Sequence, residues 1–145
     1  MNATELYEID FAEWAIRNAE LLRSGRVAEA DLGHIAEEIE DMAKRNRRAV
    51  QNRLARLIQH LLKWQMQPAK RSPSWRKTVN EQRFRISQLL EENPSFQGSL
   101  EDWAGQVYAY AVSQAAIDTG LAEDSFPTSC PYTIQQILDR AFLPQ

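Results

Sequence analysis

The chain has 145 residues, one domain's worth, of which 43% are hydrophobic and 26% charged, so it has the means to bury an ordinary core and stay in solution. Five Gly and six Pro exclude a low-complexity disordered chain, and the single cysteine, Cys130, excludes an intramolecular disulfide framework and a multi-cysteine zinc site. The net charge is -3, no uncharged apolar run approaches a membrane span, and the acidic start lacks the basic and apolar stretches of a signal peptide, so one domain over residues 1–145 in the cytoplasm is expected.

Asp10 is the expected N-cap of a first helix. Phe11, Trp14, Ala15, Ala19 (or Asn18) and Leu22 recur at helical spacing behind it, and Gly25 supplies the stop. Asp31 caps a second helix that runs from Leu32 to Gln67 without a proline, roughly 50 Å long, until Pro68 ends it. Its apolar stripe is Ile35, Ile39, Met42, Val50, Leu54, Leu57, Leu61 and Trp64. Asn46 falls on the same face, where a polar residue fixes register or marks a break. Ser72, followed by Pro73 in the first-turn position, opens a third helix with Trp75, Val79, Gln82 (or Phe84), Ile86, Leu89 and Leu90 inward. Asn93-Pro94 closes it. Ser99 and Asp102 resemble a capping box for a fourth helix, with Trp103, Val107, Tyr110, Ala111, Gln114 and Ala115 inward and Thr119-Gly120 at its end. A loop from Leu121 to Pro131 leads to a short last helix begun by Thr133 and Gln136, with Ile134, Ile137, Leu138 and Phe142 on its apolar side. No segment alternates with period two for long enough to be a strand. The expected fold is therefore an all-α bundle of about five helices around one long central helix.

Several stretches resemble a known family. They are Tyr7-Glu8-Ile9-Asp10-Phe11 with Trp14, Glu37-Glu38-Ile39-Glu40-Asp41-Met42, and His60-Leu61-Leu62-Lys63-Trp64-Gln65 before Pro68. Ser74-Trp75-Arg76, Phe126-Pro127, Cys130-Pro131-Tyr132 and Ile137-Leu138-Asp139 complete the set. Together they are similar to the bacterial domain-of-unknown-function family numbered twenty-nine, over nearly the whole chain. The resemblance implies an all-helical protein with no established activity, and it brings no catalytic residues to carry over.

The small net charge conceals a segregation along the chain. Residues 1–43 carry 11 acids and 3 bases, residues 44–85 carry 13 bases and one acid (Glu81), and residues 86–145 carry 8 acids and one base (Arg140). Either the middle third offers a basic face to an anionic partner, nucleic acid or an acidic protein surface, or the acidic ends fold over it and neutralise it. Glu40 with Lys44 and Asp41 with Arg45 are i,i+4 pairs in the favourable order.

The principal anion-binding candidates are Arg53, Lys70, Arg71, Ser74, Trp75, Arg76 and Lys77. Cations and hydroxyls at the start of a helix suit an anion, because free backbone N–H groups and the helix dipole point there, and a Trp beside them offers a face to a base. The competing reading is a core Trp75 inside a solvated cationic rim. An enzymatic alternative rests on Arg53 and His60, seven residues apart on one helix face. Their arrangement resembles the Arg-x4–6-His motif of the HEPN ribonucleases, small helical bundles that need no metal. Arg would hold phosphate in a fork, and a His kept neutral by nearby arginines would take the proton. The bland reading is a half-buried histidine at a helix seam. A weaker metal alternative joins His34, Glu37, Glu38 and Asp41, which lack the paired Glu-x-x-His of a di-iron bundle; the reading preferred for them is solvated acids near a helix start, favoured by the dipole. No phosphate loop, nucleophile elbow or dinucleotide fingerprint occurs, and no cofactor and no membrane partner are expected. A third alternative is a structural homodimer in which the long helix pairs with its copy.

Overall fold

Two side-chain caps organise the start of the chain. Asn2 and Glu5 form a reciprocal capping box for α1 (Ala3–Ile9), and the Asp10 carboxylate accepts from the Glu13 N–H to start α2 (Phe11–Arg23). The computed structural model describes residues 1–145, and every regular element in it is helical. The other elements are α3 (Leu32–Met66), α4 (Pro73–Glu92), α5 (Leu100–Thr119) and α6 (Ile134–Leu138), with short 3₁₀ turns between them. The all-α architecture and the long helix match the sequence reading, and α1 is an addition to it. Only Ala3 and Leu6 of α1 are buried, so its seven residues carry too little periodicity to be seen as a helix beforehand.

Contacts divide the chain into two compact units, Met1–Arg45 and Asn46–Gln145. The first is built on a polar network. Asp31 is buried, and its carboxylate accepts from Trp14 Nε1 at 2.9 Å and from His34 Nδ1 at 2.6 Å. Asn18, also buried, accepts from the Asp31 N–H at 2.8 Å and donates to the Trp14 carbonyl at 2.8 Å. The His34 ring stacks on Tyr7, with centroids 3.8 Å apart, and the Tyr7 hydroxyl donates to Glu38 at 2.5 Å. Because Asn18 satisfies these backbone groups, α2 turns the face of Trp14, Asn18 and Leu21 inward. Phe11 and Leu22, expected inside, are left exposed. The same holds for Ile39 and Met42 of the long-helix stripe, since burial along α3 begins only at Val50.

The second unit has the apolar core. Val50, Leu54, Leu57, Ile58, Leu61 and Leu62 of α3 are buried with Val79 and Ile86 of α4, Leu100, Trp103, Tyr108 and Ala111 of α5, and Ile137 of α6. Gln82, not Phe84, takes the inward place on α4. On α5 Tyr108 is inside, donating its hydroxyl to the Pro127 carbonyl at 2.6 Å, and Tyr110 is outside. Ser99 makes no side-chain cap: the chain is already in a 3₁₀ turn over Pro94–Ser99, so Ser99 lacks the extended backbone a cap needs. The Thr133–Gln136 capping box of α6 forms as expected.

Candidate anion-binding site

Pro68 ends α3 by turning the chain, and the turn brings Arg71 back onto the last turn of the helix. Arg71 Nε donates to the Trp64 carbonyl at 2.8 Å, and the guanidinium carbon lies 5.0 Å from the centre of the Trp64 ring. A further bond reaches the Pro144 carbonyl at 3.5 Å. Ser72 then caps α4 by accepting from the Trp75 N–H at 3.3 Å. Trp64, Arg71, Ser72, Pro73, Arg76 and Lys77 together line a shallow depression of about 480 Å³. Three of the six are cations and none is an acid. Lys70, Arg76 and Lys77 are exposed and make no ion pair.

The sequence candidates separate here. Arg71, Arg76 and Lys77 meet in the depression, and Lys70 and Ser74 are exposed in the neighbouring turns. Trp75 is half-buried outside the lining, with the Lys63 ammonium 4.8 Å from its ring centre. Arg53 lies apart from this group and donates to Gln82 Oε1 at 3.2 Å. The aromatic residue of the depression is Trp64, which periodicity alone placed in the core stripe. The available signal was Pro68, which forces the cations after it to fold back over the helix end.

Neutralisation by the acidic ends is not seen as ion pairing. Of the 13 basic residues between 44 and 85, Lys63 alone has a carboxylate partner, Asp118. The pairs Glu40–Lys44 and Asp41–Arg45 do not form. Arg83, in the same basic stretch, is buried and spends its donors on the Ile137 and Gln136 carbonyls.

A second depression, of about 640 Å³, includes Arg56, Gln59, His60, Lys63, Tyr110 and Asp118 in its lining. His60 is buried, and its Nδ1–H donates to the Arg56 carbonyl at 3.0 Å, which leaves the lone pair on Nε2. Nε2 has no hydrogen-bond partner in the chain. Asp118 accepts from Lys63 Nζ at 3.0 Å and from Gln59 Nε2 at 2.7 Å. Burial alone would raise the Asp118 pKa, but these two donors and the charge of Lys63 hold it below the usual carboxylate value. Burial pushes the His60 pKa down, and the charges of Lys63 and Arg56 add to this; the hydrogen bond to the Arg56 carbonyl and the charge of Asp118 oppose without reversing it. His60 is thus a neutral base near pH 7. The cations that line this depression with it are Arg56 and Lys63, while Arg53, its partner in the sequence reading, is outside the lining and donates to Gln82.

A buried His with a lowered pKa stabilises the fold fully above its unfolded value of about 6.5, and that contribution is lost as pH falls through the folded value. Wild type is therefore expected to lose stability on acidification from pH ~6.5 more steeply than His60→Gln. Urea unfolding at a series of pH values measures this, and parallel curves would show that His60 does not titrate in this way.

The metal alternative is not assembled either. His34 Nδ1 is taken by Asp31, Glu38 accepts from Tyr7, and no three His, Cys, Asp or Glu side chains gather as ligands. A further depression, about 710 Å³ beside Cys130, has Glu101 as its one charged lining residue. Burial pushes the Cys130 thiol pKa up, against a weaker downward effect of its contact with the Tyr132 carbonyl, which leaves it a poor nucleophile.

The family model described as Domain of unknown function DUF29 matches residues 6–143. The chain belongs to that family. Neither a curated protein nor a solved structure matches it. Several residues that carry the family likeness have structural work in this chain: Tyr7, Trp14 and Glu38 are tied into the network of the first unit. Trp64 and Arg76 line the basic depression, and His60 lines the polar one. No helix is long and apolar enough to cross a membrane.

Proposed function

We propose that this DUF29 protein is a non-enzymatic interaction protein of the bacterial cytoplasm that binds an anionic partner, nucleic acid in the first instance, through the basic face of residues 44–85. The observation that carries the reading is the depression at Trp64, Arg71, Arg76 and Lys77, where three cations converge and no carboxylate is present. Arg71 is held by a backbone carbonyl and an aromatic face, so part of the cost of ordering a long side chain is met before a ligand arrives. Arg76 and Lys77 are exposed and supply charge that phosphates neutralise with release of counterions.

The test is binding of a labelled mixed-sequence single-stranded RNA at low and at physiological salt. Wild-type affinity is expected to fall steeply with salt, and Arg76→Glu with Lys77→Glu to weaken it about 10- to 100-fold and to flatten the salt slope by about 0.7 per lost phosphate contact. These two side chains suit the test better than Arg71, whose replacement also breaks the bond to Trp64. Absence of binding at low salt, or binding indifferent to the double charge reversal, overturns the reading. Cleavage of the RNA in the same tube, unaffected by chelator and abolished by His60→Gln, would instead favour a metal-independent ribonuclease. The free Nε2 of His60 beside Arg56 and Lys63 is the observation behind that second reading.

A further inference from the structure

Nine of the twelve large apolar side chains that the protein leaves exposed lie within Met1–Arg45. Three of them, Leu32, Ile39 and Met42, are 50%, 62% and 57% exposed and share one face of α3 with half-buried Ile35. Their spacing of three, four and three residues continues to Asn46 and Ala49 and is the a/d pattern of a coiled-coil seam. Solvated apolar groups at this spacing favour a partner helix with the same pattern.

We infer that the protein forms an antiparallel homodimer in which the Leu32–Ala49 segment of α3 pairs with the same segment of a second copy about a two-fold axis between Glu40 and Asp41. That axis sets Ile39 against Met42 of the second copy, Ile35 against its Asn46 and Leu32 against its Ala49. The flanking charges select this arrangement. Glu38 and Arg45 occupy the g positions, and in this register each Glu38 faces Arg45 of the other copy, twice per dimer. On the other flank Ala36 and Ala43 face one another and present only methyl groups. Sliding one helix by a heptad sets Glu38 against Glu38, or in the other direction Arg45 against Arg45. A parallel pairing leaves both charges facing Ala43 and Val50. Tyr7 donates to one Glu38 oxygen, Oε1, and leaves Oε2 without a partner in the chain, so the carboxylate is held in place for a second donor.

Sedimentation equilibrium over a concentration series reads the mass. Wild type is expected at twice the 16.7 kDa of one chain. Ile39→Asp replaces an exposed side chain, so it is expected to give a single-chain mass with an unchanged helical circular dichroism spectrum. Arg45→Glu and Glu38→Lys each place like charges together in their own homodimer, and each alone is expected to dissociate at least ten-fold more readily. Mixed in equal amounts, the two variants restore opposite charges on both flanks, and the two-chain mass is expected to return. A wild-type monomer throughout the series overturns the inference, as does a dimer that survives Ile39→Asp. A dimer lost on Ile39→Asp but indifferent to Arg45→Glu overturns the antiparallel register and points to a parallel pair seated on Asn46.

Discussion

Replacing Arg83 by Ala is expected to cost about 2–4 kcal/mol of the stability of the second unit. Arg83 is 4% exposed, and its guanidinium donates from Nε to the Ile137 carbonyl at 2.7 Å and from Nη2 to the Gln136 carbonyl at 3.2 Å. Both carbonyls lie in the last turn of α6: the Gln136 carbonyl also accepts from the Asp139 N–H at 3.3 Å, whereas the Ile137 carbonyl has Arg83 as its donor. Burial pushes the Arg83 pKa down, opposed by the charge of Asp139, but an Arg so placed stays cationic. Truncation strands the Ile137 carbonyl at about 1–3 kcal/mol, takes one of two donors from the Gln136 carbonyl and leaves a cavity beside Ile137. Arg83→Met restores most of the volume without the donors, and about half the loss is expected to remain. Urea unfolding measures both variants, and hydrogen exchange at the Ile137 amide, bonded to the Thr133 carbonyl at 2.9 Å, reports whether α6 detaches first. A change under about 0.5 kcal/mol for Arg83→Ala would mean that water replaces the guanidinium at no cost.

Asp31→Ala is expected to be comparably damaging to the first unit. It removes the acceptor of the buried Trp14 Nε1, at about 1–3 kcal/mol for a buried group left unpaired, and in the same step the partner of the part-exposed His34 Nδ1. Asp31→Asn keeps one acceptor oxygen and is expected to lose less. Burial by itself would raise the Asp31 pKa, but the hydrogen bonds from His34 and Trp14 and the charge of His34 outweigh it and hold the carboxyl below its usual value. For a carboxylate with a lowered folded pKa, the contribution is complete above the unfolded value of about 4 and disappears as pH falls through the folded one. The nuclear magnetic resonance signal of the Trp14 indole N–H observes the contact directly. It is expected to keep its downfield position at neutral pH, to move as pH drops below about 4, and to be lost in Asp31→Ala. An indole signal that ignores both changes would show that Trp14 is held by packing alone.

Asn18 and Asp31 show where a sequence pattern misleads. On α2 the apolar period admits either Ala19 or Asn18 inside, and hydropathy alone favours alanine. Asn18 is buried because it bonds to the Trp14 carbonyl and to the Asp31 N–H, thirteen residues away. Phe11, Ile39, Met42 and Tyr110 satisfy a helical period as well as the buried residues do, yet they face water. Periodicity identifies a face that is able to be covered, and a covering element decides whether it is. The basic site was legible in part for the same reason. The cationic cluster at residues 70–77 is local and could be read directly, whereas the pairing of Arg71 with Trp64 depends on a turn of the chain, and Arg53 and His60 are drawn to different neighbours, Gln82 and the Arg56 carbonyl.

The helices were determined by the sequence itself. Asp10, Asp31, Ser72 and Thr133 start them, Pro68 and Gly120 stop them, and these residues act through hydrogen bonds and backbone sterics within a single turn. The segregation of charge is likewise a property of the chain, and so is membership of the DUF29 family. Tertiary structure decided which charges found partners, which of two aromatic rings stands beside the cations, and which apolar stripe stays open. Those outcomes rest on groups far apart in the chain, whose distances are set only when the elements pack.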